Sequence, residues 1–242
     1  MFKPWRYLQA ILGAYVRDGL ISVHNHEFLA DPAFASAYAR GVAAAGSDYG
    51  WQWRVHVGLW AAGVARNLPG DFVECGVNAG FMSSSIMSHL DWNRLDKTFY
   101  LLDTFSGLDE RFVSDAERAE GILEKNRRHI DAGFYVTGVD AVRRNFAEWD
   151  RVRIIQGSIP ETLVSVDAAA IAFLHVDLNC APPEVAAVEH FWSRLAHGAP
   201  VLLDDYAYFG HRQQKLAMDA LAKRLGTSIV SLPTGQGLLI KT

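Results

Sequence analysis

The sequence predicts an α/β fold in which a mostly parallel, seven-stranded sheet is covered by helices. After Pro69-Gly70, short apolar runs alternate repeatedly with helical patterning, which is typical of a parallel sheet with helices on both faces. The last two apolar runs, 228–232 and 237–241, are joined by Pro-Thr-Gly-Gln. That arrangement predicts an antiparallel hairpin at the end of the sheet.

The composition is that of an ordinary globular protein. Half of the 242 residues are apolar, and the net charge is −4 at pH 7, which argues against a nucleic-acid binder. Two cysteines make no disulfide framework and favour a reducing, cytoplasmic location. Polar residues interrupt the apolar run 7–16, so we expect an amphipathic helix there rather than a signal peptide or a membrane span.

Helical patterning over residues 1–68 predicts an N-terminal helical cap, followed by a core domain at 69–242. Helices of the cap are expected near 5–19, 32–46 and 49–67, the third capped by Ser47 or Asp48. The first five core strands are expected at 71–76, 98–103, 151–156, 171–177 and 201–204. The core helices are expected at 80–90, 139–148, about 184–195 and 211–225.

Two further segments are candidates for contact with a ligand. Residues 109–136, rich in Glu and Arg, suit a lid over a pocket, although a charged surface helix explains the same composition. The aromatic residues Tyr49, Trp51 and Trp53 could stack on a ligand or anchor a helix to the core.

The turns after the first three strands suggest a nucleoside-binding cleft, because ligands of open parallel sheets bind at the carboxyl ends of the strands. Gly76 and Gly80 would let the first turn approach a ligand closely, although a tight turn alone explains them. Asp103 could accept hydrogen bonds from both hydroxyls of a ribose, or act as a cap or turn residue. Ser158 could contact an adenine edge or cap a short helix.

Three carboxylates, Asp177, Asp204 and Asp205, follow the fourth and fifth strands and are expected to converge on one edge of the sheet. Without a counter-charge they would repel one another, and a bound Mg2+ or similar cation would resolve this. The alternative is that one or two of them cap helices. His211 could take a proton from an acceptor, although a helix-terminal surface role fits it as well. We expect His175 to be a hydrogen-bonded core histidine.

Taken together, these motifs resemble the TylF/MycF-type macrolide sugar O-methyltransferases over about residues 70–242. The motifs that carry the resemblance are Glu74-Cys-Gly-Val, Leu102-Asp103-Thr-Phe-Ser-Gly107, Gly157-Ser-Ile-Pro-Glu-Thr-Leu163, His175-Val-Asp177-Leu and Asp204-Asp205-Tyr206. The resemblance implies a Rossmann-like class I methyltransferase fold with S-adenosylmethionine as methyl donor. It also implies Mg2+ dependence and sugar hydroxyls of natural products as acceptors.

The motifs and the resemblance together assign these residues to the cofactor: Glu74, Cys75, Gly76, Gly80, Asp103, Thr104 and Ser158. The resemblance implies that Asp177, Asp204 and Asp205 are metal ligands and that Asp177 is also a general base. His211, from its position after the acidic pair, is a second catalytic candidate. The family pattern places a second acid and a tyrosine after Asp177, whereas this chain has Asn179 and Cys180 there. That departure bears on the acceptor and on the affinity for metal.

Three other functions remain open at this point. A catechol-type aromatic O-methyltransferase is close, because a metal that binds two substrate oxygens serves both acceptors. A NAD-dependent dehydrogenase is disfavoured by the terminal hairpin, because such enzymes usually continue with further strand-helix units. A non-catalytic cofactor-binding homologue is the third. The expected partner is a small-molecule hydroxyl acceptor, without nucleic acid or membrane, and a homo-oligomer is compatible with the family resemblance.

Overall fold

The computed structural model describes residues 13–242, and its centre is a seven-stranded sheet with the strand order β5-β4-β3-β6-β7-β9-β8. The strands of this sheet are β3 (Asp71–Cys75), β4 (Phe99–Asp103), β5 (Val152–Gln156), β6 (Ile171–Val176), β7 (Pro200–Leu203), β8 (Val230–Ser231) and β9 (Gly237–Ile240). Strands β3 to β7 pair in parallel, and β9 pairs antiparallel with both β7 and β8. The predicted Rossmann-like α/β fold with its closing hairpin is confirmed.

Of the eight α-helices in residues 13–242, six lie close to positions predicted for a helix, and the other two lie within segment 109–136. They are α1 (Pro32–Ala45), α2 (Gln52–Ala65), α3 (Phe81–His89), α4 (Asp115–Ala119), α5 (Ile122–Asp131), α6 (Asp140–Asn145), α7 (Ala181–Phe191) and α8 (Arg212–Leu225). Asp31 caps α1, where its side chain accepts from the backbone N–H of Ala33. Among residues 13–242, no helix is long and apolar enough to cross a bilayer.

Alternate residues of each strand pack against opposite helical layers, because side chains along a strand alternate between the two faces of a sheet. Phe72 of β3 and Phe99 of β4 belong to the core that includes α1, α2 and α3. Val73 and Tyr100, the next residues along, belong to the core that includes α7 and α8. The helical region before residue 69 therefore shares its core with the sheet.

One predicted helix is wrong where the structure describes it. Instead of a helix near 5–19, residues 15–22 form a two-stranded antiparallel hairpin of β1 (Tyr15–Arg17) and β2 (Leu20–Ser22). The turn residues Asp18 and Gly19 both have positive φ, 49° and 73°, which is the backbone of a tight hairpin turn. The part of the predicted helix before residue 13 lies outside the described residues.

The predicted cap of the third helix is also wrong. Helix α2 has Trp51 at its N-cap, without a side-chain hydrogen bond. Asp48 instead accepts from the Tyr38 hydroxyl at 2.5 Å and from the Gly50 backbone N–H at 2.8 Å. Its carboxylate therefore closes the loop between α1 and α2, a contact that local sequence does not specify.

Candidate active site

A cavity of about 440 Å³ opens at the carboxyl ends of β3, β4, β6 and β7. The chain runs from β3 to β4 and β5 on one side and then crosses to β6 on the other, so β3 and β6 flank the topological switch point. The predicted site residues that line the cavity are Glu74, Gly76, Asp103, Thr104, Ser158, Asp177, Asp204, Asp205 and His211. The sheet therefore gathers most of the predicted site in one place.

Two residues assigned to the cofactor are not among those that line the cavity. Cys75 is fully buried in the core beside α7 and α8, where burial raises the pKa of its thiol. Gly80 lies just before α3 with φ of 87°, and a Cβ at this position would lie 2.5 Å from the Phe146 ring. Neither Cys75 nor Gly80 therefore borders the cavity directly.

The glycine turn passes very close to β6. A Cβ on Gly76 would lie 1.8 Å from the backbone oxygen of Asp177, and its φ is 88°. Only glycine fits both conditions. Beyond this turn, the backbone N–H groups of Val77 and Asn78 donate to Asp103 Oδ2 at 2.7 and 2.8 Å, and Phe105 N–H donates to Oδ1 at 2.6 Å. The turn role left open for Asp103 is therefore present.

Ser158 faces the cavity from the loop after β5, and its hydroxyl donates to Asp109 Oδ2 at 2.5 Å. The backbone oxygen of Ser158, rather than its side chain, accepts from Thr162 N–H at 3.0 Å. The predicted side-chain cap is therefore not observed, and the Ser158 side chain instead joins the loop after β5 to the start of segment 109–136.

The acidic rim, which we define as Asp177, Asp204 and Asp205, contains a counter-charge that the sequence analysis did not identify. Arg54 of α2, only 3 % exposed, donates from Nη1 to Asp204 Oδ2, and the same nitrogen lies 3.6 Å from Asp205 Oδ1. Burial alone would raise the pKa of Asp204, but the Arg54 guanidinium holds it well below its usual range. Arg54 belongs to no motif, and nothing local in the sequence points to it.

A second pairing at the rim joins β3 to β6. His175 stands opposite Glu74 in the register of the two strands, and its Nδ1 lies 2.8 Å from Glu74 Oε1. Burial opposes protonation of the ring, yet the neighbouring Asp204 and Glu74 carboxylates raise the pKa of His175 to about 10. His175 is thus a hydrogen-bonded core histidine, as expected.

The predicted metal site does not fit these contacts. Asp204 already accepts N–H donors on both oxygens, because Gln236 Nε2 donates to its Oδ1 at 2.8 Å. Asp177 Oδ1 accepts from Asn179 Nδ2 at 3.2 Å. Within the described part of the chain, no group of three or more His, Cys, Asp or Glu side chains is arranged to hold a metal ion. The three carboxylates are therefore not without a counter-charge, because Arg54 pairs with Asp204 and lies near Asp205.

His211 is buried at the opposite side of Asp205, with Nδ1 3.4 Å from Asp205 Oδ2. The Lys125 ammonium, which can only donate, lies 2.8 Å from Nε2 of His211. Burial, with Lys125 and Arg54, lowers the pKa of His211 to about 4. His211 lies at the N-cap of α8, as expected, but it is buried rather than on the surface, and its Nε2 already contacts Lys125.

Segment 109–136 covers the cavity through two sets of contacts. Glu117 of α4 accepts from Ala181 N–H at the start of α7 at 2.6 Å and from the Ser114 hydroxyl at 2.6 Å. At its other end, Asn78 of the glycine turn donates to Phe134 O and accepts from Val136 N–H, both at 2.9 Å. The segment is thus held to both halves of the site.

Of the three aromatic residues before the core, two face the cavity. Tyr49 and Trp51 line it, and the Tyr49 ring lies 5.0 Å from that of Phe134. Trp53 instead packs edge-on against Phe28, with ring centroids 4.7 Å apart. Trp53 therefore belongs to the packing of the N-terminal region.

Comparisons with known proteins identify the family of this chain. The model of a family described as Macrocin-O-methyltransferase (TylF) matches residues 59–228. The chain is 29% identical over 152 residues to a tetracenomycin-C rhamnosyl 4'-O-methyltransferase of Streptomyces olivaceus, covering 60% of this chain and 56% of that protein. It is 25% identical over 146 residues to mycinamicin III 3''-O-methyltransferase of Micromonospora griseorubida, covering 57% and 56%. The matched part spans little more than half the length of these relatives.

Two solved structures share the fold. The O-methyltransferase NovP aligns with a TM-score of 0.71 at 18% identity, covering 89% of this chain and 99% of that one. The calicheamicin methyltransferase CalS11 aligns with a TM-score of 0.61 at 16% identity, covering 78% of each chain. At these identities the likeness concerns the fold alone.

Proposed function

Because the chain belongs to the TylF macrocin-O-methyltransferase family, we propose that it transfers a methyl group from S-adenosylmethionine to a hydroxyl of a small molecule, a sugar of a natural product. The observation that carries this proposal is the shared cavity: the glycine turn and Asp103 line one part of it, and the acidic rim lines another. A donor and an acceptor bound side by side would meet there. Relatives named as sugar O-methyltransferases support the acceptor class.

The residues on the cofactor side fit this donor. Glu74 Oε2 is buried without a hydrogen-bond partner, and its residue lines the cavity, so it can accept from the amino group of the donor. Asp103 can accept from ribose hydroxyls with the lone pairs that its backbone partners leave free. We assign Thr104 and Ser158 to the same ligand, with Ser158 near its adenine base. S-adenosylmethionine, when bound, supplies an activated sulfonium methyl group.

On the acceptor side, we assign proton acceptance to Asp177. It follows β6 directly, lines the cavity, and burial with the nearby Asp204 raises its pKa well above the usual value. A carboxylate with a raised pKa is a stronger base toward a hydroxyl. His211 is less suited, because Lys125 already occupies its Nε2. No step of this proposal uses the predicted Mg2+, because the rim residues do not fit it.

Segment 109–136 is proposed as the lid of this site. Phe112, Lys125 and Phe134 line the cavity from the segment, so it can keep water away from the reacting atoms. We also propose a division of the chain into a cap, 1–68, and a core, 69–242. The cap contributes Tyr49, Trp51 and Arg54 to the lining of the cavity. Cytoplasmic location and homo-oligomerisation stay predictions.

The function is tested by methyl transfer to a panel of glycosides and catechols, followed by mass spectrometry. We expect a gain of one methyl group on a sugar hydroxyl, and a fall in kcat of at least about 100-fold in Asp177→Asn. Calorimetric binding of S-adenosylhomocysteine should be unchanged in that variant.

The rival functions give different results in the same assay. Turnover of catechols alone would point to the aromatic acceptor class. Binding of NAD without binding of S-adenosylhomocysteine would point to a dehydrogenase. Donor binding without turnover on any acceptor would point to a non-catalytic homologue.

A further inference from the structure

The Arg54 guanidinium lies among the carboxylates of the acidic rim, where a metal ion would have to bind. Arg54 is fixed by Asp204, by Asp205 and by Asp18, whose Oδ2 accepts from Arg54 Nε at 2.8 Å. Each of these side chains is nearly inaccessible to solvent. The His175 ring lies on the other side of Asp204, with Nδ1 2.8 Å from Glu74 Oε1 and Nε2 3.7 Å from Asp204 Oδ1.

The Arg54 guanidinium is also held by the aromatic ring of Tyr208. Its Cζ lies 4.2 Å from the centroid of the Tyr208 ring, a cation–π contact. The Tyr208 hydroxyl donates to Asp18 Oδ1 at 3.2 Å, which links the residue that stacks on Arg54 to the residue that pairs with it. Asp18 itself is presented by the tight turn between β1 and β2. Arg54 is therefore a buried side chain held by several contacts, not a mobile surface arginine.

We propose that Arg54 takes the place of a divalent cation at the acidic rim, so that this chain binds no Mg2+ there. Mg2+ requires near-octahedral oxygen ligands at short distance, and a Mg2+ ion bound to both Asp204 and Asp205 would lie beside the Arg54 guanidinium, which contacts Asp204 Oδ2 and lies 3.6 Å from Asp205 Oδ1. Arginine stays charged at any pH at which the protein is folded, so it cannot yield its place by losing a proton. Arg54 thereby acts as a positioning residue that fixes Asp204 and Asp205 beside Asp177.

The amide at Asn179 contributes to the same result. Its Nδ2 donates to Asp177 Oδ1, where a carboxylate would have repelled that oxygen. Each rim carboxylate thus has a protein cation or amide donor within 3.6 Å. The role of Arg54 in positioning the rim for methyl transfer rests on the proposed function, whereas the absence of Mg2+ binding does not.

The test is calorimetric titration of Mg2+ into the wild-type protein, Arg54→Met and Arg54→Lys, after treatment with EDTA. We expect no saturable Mg2+ binding to the wild type or to Arg54→Lys, and saturable binding to Arg54→Met, whose rim has lost its cation. Melting temperatures with EDTA and with Mg2+ should agree for the wild type and diverge for Arg54→Met. Arg66→Met, an exposed arginine just after the same helix, is the matched control and should behave as wild type.

Saturable Mg2+ binding to the wild type would overturn the proposal, and so would a folded Arg54→Met that binds no Mg2+. Should Arg54→Met fold poorly by circular dichroism, the wild-type titration and melting temperatures decide. None of these readouts depends on methyl transfer, so the proposal can fail while the proposed function stands, and the reverse.

Discussion

At the Asp103 carboxylate, three backbone N–H groups converge from two loops. Val77 and Asn78 donate from the glycine turn, and Phe105 donates from the loop after β4. These donors are the backbone groups that a turn otherwise leaves without partners. One side chain therefore fixes the two loops that meet at the proposed ribose position.

The Asp103→Asn substitution tests this arrangement at the residue scale. An amide keeps one acceptor oxygen, so at least one backbone N–H group loses its partner, at a cost of about 1–3 kcal/mol in the free energy of unfolding. We also expect S-adenosylhomocysteine to bind at least about tenfold more weakly, because the loops at the proposed ribose position lose part of their support. A tenfold change in affinity corresponds to about 1.4 kcal/mol, which lies within the range of about 1–3 kcal/mol for the lost hydrogen bond. Urea denaturation and calorimetry measure the two effects.

The matched control is Asp96→Asn, whose side chain is 99% exposed. It should leave both quantities unchanged within about 0.5 kcal/mol. Equal behaviour of the two variants would show that Asp103 does not organise the turn.

At the scale of elements, helix α1 packs on helix α3 at very close range. A Cβ on Gly41 of α1 would lie 2.3 Å from Ser85 Oγ and 2.7 Å from the Phe81 ring. Gly58 of α2 stands similarly close to Met82, at 2.5 Å from Sδ. Small residues thus let the N-terminal helices approach the helix that follows the glycine turn, and overpacking at such a contact is destabilising.

We therefore expect Gly41→Ala to lower the free energy of unfolding by about 1–3 kcal/mol, because the added methyl group forces α1 and α3 apart. Gly63→Ala, within helix α2, is the control: a Cβ there meets no atom within 4 Å. That change should raise stability by up to about 1 kcal/mol, because alanine favours a helix more than glycine does. Urea denaturation distinguishes the variants, and a stable Gly41→Ala would contradict the close packing.

At the scale of the whole molecule, the proposed cap and core share one hydrophobic interior. Phe34 and Leu59 from the N-terminal helices belong to the same buried cluster as Phe72, Phe173 and Leu202 from the sheet. The buried ion pair between Arg54 and Asp204 links the same two regions. Because the cap has no separate core from which to draw stability, the two regions should unfold together.

We expect urea unfolding followed by far-ultraviolet circular dichroism and by tryptophan fluorescence to give coincident transitions. Phe34→Ala should shift the whole transition by about 3–5 kcal/mol, because it opens a cavity in the shared core. Phe209→Ala, at a position 95% exposed, should change stability by less than about 0.5 kcal/mol. Two separate transitions, with only the first moved by Phe34→Ala, would show an independent cap.

Local sequence was sufficient for the architecture after residue 69. Apolar runs bounded by glycine and proline predicted strands β3 to β7 within a residue or so of where they lie, and the terminal hairpin was recognised from its turn. The carboxyl ends of these strands are therefore predicted correctly, and ligands of open parallel sheets bind at the carboxyl ends of the strands. This is why the sequence predicts that Glu74, Asp103 and Asp177 meet at one edge of the sheet, where all three line the cavity.

What only the tertiary structure decided is which charges meet. Arg54 and Asp204 lie 150 positions apart in the chain, and their contact depends on how α2 packs against β7. The hairpin that presents Asp18 was hidden by a helix-like apolar pattern, and His175 meets Glu74 only through the register of two strands. Sequence determines elements because periodicity and turn chemistry are local, whereas charge pairing in a buried site is set by packing between elements distant in the chain.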